Sequence, residues 1–130
     1  MIPSNQELAE VIRSAQCALD HHRDFWLGNA GKVELEFYEL DLLERDERFM
    51  ALDIALSEIT PNDYDGPNPP GDISSHPPFQ GCRMFAFCWN SAHFARRLYF
   101  KFALTSPSGK TQMAKPKLVI YSFHEPRTRV

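Results

Sequence analysis

At 130 residues, 43% hydrophobic and 24% charged, the chain has the make-up of one soluble globular domain that can bury a core without metal or disulfide help. It contains no apolar run of about 18 residues, which excludes a helical membrane span, and its first residues lack a secretion pattern, so a cytoplasmic protein is expected. The net charge of −3 hides a split: residues 1–81 carry 5 Lys and Arg against 16 Asp and Glu, a balance of −11, while residues 82–130 carry 9 against one acid, a balance of +8. Such asymmetry points to a polyanionic partner for the basic half, or to acidic helices docking on a basic sheet.

The chain starts with a capping-box pattern, Ser4 followed by Glu7. Leu8, Val11, Ile12, Ala15, Ala18 and Leu19 then recur at helical spacing, which predicts a helix from about 5 to 26, stopped by Gly28. His21 and His22 near its end suit helix-terminal carbonyls better than a metal. In the next segment Val33, Leu35 and Phe37 alternate with Lys32, Glu34 and Glu36, which reads as a short amphipathic strand. Residues 38–59 lack Gly and Pro, are rich in Leu, Glu and Arg, and read as helical, with a possible break near Asp46.

Residues 60–81 hold six of the ten prolines and three of the six glycines, so a long irregular loop is expected there. Three strands follow at 82–89, 95–104 and 117–125, joined by turns at 90–93 and 105–116. The expected fold is α+β: a twisted antiparallel sheet with the N-terminal helices packed on one face.

Along 95–104, Leu98, Phe100, Phe102 and Leu104 fall on one face, and Arg97, Tyr99, Lys101 and Ala103 on the other. A hairpin turn centred near residue 110 would set Tyr99 opposite Ser122, Arg97 opposite His124 and Lys101 opposite Ile120. Arg97, Tyr99, Lys101, Ser122 and His124 would then share one face, with Arg96 adjacent. Ordinary solvation explains many such faces; an aligned histidine and a local excess of cations favour chemistry.

This set suits metal-free RNA cleavage. A base takes the proton of the ribose 2′-hydroxyl, an acid protonates the leaving 5′-oxygen, and cations stabilise the phosphorane between them. His124 is the acid or base candidate. Lys101 and Arg97 can hold phosphate, Tyr99 can donate a hydrogen bond, and Phe85, Phe87 and Trp89 can either stack on bases or pack the core. Two other motifs are weaker. SGKT at 108–111 has Leu104 where a phosphate-binding loop needs its first glycine. Cys82, Cys88, His76 and His93 match no common zinc spacing, and with Cys17 the cysteines make no even disulfide set. No cofactor is expected.

Four motifs in order strengthen the RNA reading: NAGKV at 29–33, IALSEITPNDYDGP at 54–67, RLYFKFAL at 97–104 and IYSFHE at 120–125. Together they resemble the motility quorum-sensing regulator (MqsR) family, the messenger-RNA interferases of type II toxin–antitoxin systems. The resemblance covers roughly residues 29–125. It implies a RelE-like fold, cleavage of single-stranded mRNA and neutralisation by a cognate antitoxin protein. It also implies that Tyr99 and Lys101 are catalytic, that His124 stands at the terminal-strand Lys or His position, and that Tyr64 is the loop aromatic contacting RNA. Asp65 stands where a lysine often follows that tyrosine, and Ala86 where some members carry a glutamine. A non-catalytic RNA-binding or protein-interaction module on the same scaffold is therefore the competing expectation.

Overall fold

The computed structural model describes residues 3–22, 24–66, 83–105 and 116–126. Most of the Pro-rich loop, the long turn with its SGKT motif, His76 and Cys82 lie outside them. The elements are α1 (Asn5–His22), β1 (Trp26–Leu27), α2 (Ala30–Glu39), α3 (Arg45–Glu58), β2 (Tyr64–Gly66), β3 (Met84–Ser91), β4 (Arg96–Leu104) and β5 (Leu118–His124). The strands form one sheet in the order β1-β5-β4-β3-β2. This is the α+β fold expected, with helices on one face. The β2–β5 ladder is antiparallel, and β1 adds a short parallel edge at Trp26–Val119 and Leu27–Ile120.

Alternation along the central strands decides which face is buried. Leu98, Phe100 and Phe102 of β4, Phe85, Phe87 and Trp89 of β3, and Leu118, Ile120 and Phe123 of β5 all enter the main core. They meet Leu8, Ile12, Ala15, Ala18 and Leu19 from α1 and Ala51, Leu52, Ala55 and Leu56 from α3. Phe37, Phe87, Phe100, Phe102 and Phe123 are fully buried. Each such side chain contributes about 1.5–3 kcal/mol of hydrophobic burial. The three β3 aromatics are thus core residues, and their role in stacking on bases falls away.

Several local expectations are corrected. Helix α1 ends at His22, four residues early, because the chain must turn there to lay β1 beside β5. Its start is as expected: the Glu7 amide donates to Ser4 Oγ at 3.1 Å. The segment read as an amphipathic strand is helix α2. Its buried residues, Val33, Glu36 and Phe37, follow helical spacing, whereas Leu35, which a strand would bury, is 57% exposed. The break between α2 and α3 falls at residues 40–44, ahead of Asp46, where Asp41 takes a left-handed φ of 61°. The loop read as irregular over 60–81 begins with structure: a 3₁₀ turn at Pro61–Asp63, then β2 paired to β3.

Gly28 closes the β1 turn, and its amide donates to the Ile120 carbonyl at 2.9 Å. The Tyr121 ring lies directly over it, so a Cβ at position 28 would overlap that ring. Among the described residues no helix is long and apolar enough to cross a membrane.

The β3–β4 turn is held by one carboxylate. Glu58, at the end of α3, accepts from Trp89 Nε1 (3.1 Å), Ser91 Oγ (2.6 Å) and the amides of Ala92 (3.0 Å) and His93 (3.1 Å). Burial pushes its carboxyl up, but these four donors outweigh burial and hold it below the usual glutamate value. A carboxyl lowered by folding stabilises the protein at pH values above its unfolded value and loses that contribution as pH falls through the folded one. Glu58→Gln is therefore expected to lower stability near neutral pH by about 1–3 kcal/mol. Thermal melts should show the gap to wild type narrowing as pH falls through the lowered folded-state value and the Glu58 carboxylate takes up a proton.

Candidate active site on the second sheet face

The face away from the helices carries the second set of alternating side chains. Cross-strand pairing places Cys88 beside Tyr99, Asn90 beside Arg97, and Ala86 beside Lys101. On the other side of β4, Tyr99 pairs with His124 and Lys101 with Ser122. This register is displaced by two residues from the hairpin expected, which had Tyr99 opposite Ser122. A two-residue shift keeps Tyr99, Lys101, Ser122 and His124 on one face, whereas Ile120, expected opposite Lys101, pairs with Phe102 and lies in the core. A bulge between Lys101 and Phe102 then takes up Tyr121 as the extra residue of β5 and resets the register to Phe102–Ile120.

Tyr99, Lys101, Ser122 and His124 are thereby brought together, with Arg97 one step further along β4. The Tyr99 and His124 rings lie 5.2 Å apart, tilted at 37°. Arg97 is exposed and donates to Asn90 Oδ1 at 3.3 Å. Two expected members stand elsewhere. Tyr64 packs its ring on Phe85 and Phe87, at 6.4 and 5.6 Å, on the core side of the sheet. Arg96 has the parity of Leu98 rather than of Arg97, and its guanidinium pairs with Glu125 at 2.9 Å.

Two residues that were assigned no role at the sequence level join the site from α2. Lys32 Nζ donates to Ser122 Oγ (2.8 Å), to the Tyr121 carbonyl (3.1 Å) and to Glu36 Oε2 (2.8 Å). Glu36 Oε1 accepts the Phe123 amide at 3.0 Å, and Oε2 lies 3.8 Å from His124 Nε2. The lysine was visible in the NAGKV motif, and Lys32 and Glu36 stand four apart. Reading the segment as a strand pointed both side chains away from the core and hid their connection to β5. A cleft of about 220 Å³ opens here, lined by Lys32, Leu35, Glu36, Glu39, His124 and Glu125 among others.

Electrostatics on this face is mixed. Burial, then the nearby Asp65 carboxylate, pushes the Tyr99 phenol above its ordinary value, with smaller contributions from Cys88 and Glu36. Tyr99 is thus a neutral hydrogen-bond donor at physiological pH. Burial likewise raises the Cys88 thiol; Arg97 opposes that shift and Asp65 adds to it. Among the described residues no three His, Cys, Asp or Glu side chains converge in a way that could hold a metal ion.

Searches of protein-family models, curated proteins and solved structures find no match to this chain.

The Asp65 contribution to Tyr99 can be measured directly. Asp65→Asn removes a negative charge that opposes phenolate formation, so the Tyr99 titration midpoint should move down toward the ordinary tyrosine value. Spectrophotometric titration against a Tyr99→Phe control isolates this phenol from the other three tyrosines. An unchanged midpoint would mean that Asp65 does not face Tyr99.

Proposed function

We propose that the chain is a metal-independent endoribonuclease that cleaves single-stranded mRNA, acting in the cytoplasm as the toxin of a type II toxin–antitoxin pair with a cognate antitoxin as partner. The observation that carries this reading is the meeting of Tyr99, Lys101 and His124 on one sheet face at the β4–β5 pairing. The ordered resemblance of four sequence motifs to the MqsR interferases supports the toxin assignment and a kinship with RelE-like toxins.

In the proposed reaction His124 Nε2 takes the proton of the ribose 2′-hydroxyl. The 2′-oxygen attacks phosphorus and forms a new O–P bond. Lys101 and Arg97 balance the growing charge on the phosphorane, and the Tyr99 phenol donates a hydrogen bond to it. The bond to the 5′-oxygen breaks, and the Lys101 ammonium supplies the proton that this oxygen needs. The products are a cyclic phosphate and a free 5′-hydroxyl. Solvent then restores both protonation states.

A second reading is favoured by Asp65 and Ala86. Asp65 puts negative charge near Tyr99, and Ala86, opposite Lys101, offers no polar group. On this reading the face binds RNA through Arg97 and Lys101 without cutting it.

Expression in a bacterial host separates the two. The wild-type chain is expected to arrest growth. His124→Ala should relieve the arrest and lower the cleavage rate constant by about 10²–10⁴-fold, the usual worth of a general acid–base group. Normal growth on wild-type expression, together with salt-dependent RNA binding and no cleavage fragments, would establish the binding module instead.

A further inference from the structure

Glu36 is the buried acid of this site, with 6% of its surface exposed. A carboxylate so placed is costly unless its oxygens are satisfied. Both are: Oε1 by the Phe123 amide and Oε2 by Lys32 Nζ. These bonds fix the carboxylate between a helix and a strand, leaving it no freedom to swing into solvent.

The His124 imidazole sits against this fixed charge. Its Nδ1 is 2.6 Å from the Glu125 carbonyl oxygen. A carbonyl can only accept, so Nδ1 carries the hydrogen in that contact and Nε2 is left to exchange a proton with substrate. Nε2 is 3.8 Å from Glu36 Oε2. At that distance the carboxylate does not occupy Nε2 with a hydrogen bond, and the ring atom stays open to substrate beside a fixed charge. Tyr99 bounds the ring on a further side.

We propose that Glu36 is a positioning residue for His124: its carboxylate, anchored by Lys32 and the Phe123 amide, holds the imidazole and stabilises the imidazolium formed when Nε2 takes the 2′-hydroxyl proton. The inference rests on the RNA-cleavage reading of this face. Glu36 itself takes no proton. It supplies a fixed negative charge that matters more once His124 is charged than before, which is the condition for lowering a barrier rather than tightening binding. Lys32 keeps the carboxylate aimed and at the same time ties Ser122, next to Phe123, into the network.

A purely architectural Glu36 would need only an acceptor for the Phe123 amide and a partner for Lys32. Glutamine offers an acceptor oxygen of nearly the same reach but no charge. Its NH2 group would turn a donor toward Lys32 Nζ, so the Glu36→Gln rate is read together with its thermal midpoint and with Glu36→Asp, which keeps two acceptor oxygens and the charge. The test is single-turnover cleavage of a labelled single-stranded RNA by the full chain, with RNA affinity and thermal midpoint measured alongside. Glu36→Gln is expected to slow cleavage by about 10–100-fold while RNA affinity stays within about twofold of wild type, and Glu36→Asp, which keeps the charge, should recover part of the rate. If Glu36→Gln does not fold, Lys32→Met, which leaves the charge but frees its anchor, must show the same loss of rate at unchanged affinity. Cleavage by a folded Glu36→Gln within about threefold of wild type overturns the positioning role. So does a Glu36→Asp variant no faster than Glu36→Gln. A wild-type chain that leaves RNA intact overturns the cleavage reading itself, and this inference with it.

Discussion

The hydrogen bond from the Phe123 amide to Glu36 is the contact on which the candidate site depends. Strand β1 pairs with β5 only through Val119 and Ile120, and the last backbone bond of that edge is from Gly28 to Ile120. Beyond it the outer edge of β5 would expose unpaired backbone groups, an aggregation hazard in any open sheet. Helix α2 covers that edge with side chains: Lys32 donates to the Tyr121 carbonyl, and Glu36 accepts from the Phe123 amide. The edge is protected and, by the same two side chains, a buried carboxylate and an ammonium are set beside Ser122 and His124. Edge protection and site assembly are one arrangement.

The opposite charges of the two halves of the chain find partial use in this docking. Asp24 pairs with Lys117 across the β1–β5 edge, and Glu36 lies beside His124. Glu58 anchors the β3–β4 turn through neutral donors instead. Some of the acidic half is thus spent on holding the sheet. Arg97 is left exposed and Lys101 half-buried on the β4 face opposite the main core. Asp65 tempers that cationic face at Tyr99, and its presence is the main physical reason that binding without cleavage is the rival reading.

The three long strands and α1 were legible in the sequence because their side chains alternate or recur with little ambiguity. Leu98, Phe100 and Phe102 cannot all be buried except on a strand, and the Ser4–Glu7 cap announces its helix. Helix α2 was not legible as a helix. Val33, Leu35 and Phe37 satisfy a strand period, while Val33, Glu36 and Phe37 satisfy a helical one that requires burying an acid. Tertiary contact decides between them, because only in the fold does Glu36 acquire the Phe123 amide and Lys32 as partners. The hairpin register failed for a related reason. The Tyr121 bulge inserts a residue that no local pattern announces; it moved Ile120 to the core face, while the two-residue offset above it changed partners without changing faces. Tyr99, Lys101, Ser122 and His124 therefore remained grouped, whereas Tyr64, placed by its motif rather than by strand parity, came out on the core side.

The most direct test of the central claim is to identify the ends of the fragments that the purified chain makes from single-stranded RNA in excess EDTA. Transphosphorylation by the His124–Tyr99–Lys101 face predicts cleavage undiminished by the chelator, leaving a 2′,3′-cyclic phosphate on one fragment and a 5′-hydroxyl on the other. Intact RNA, or fragments with 5′-phosphate ends whose formation stops in EDTA, would contradict it.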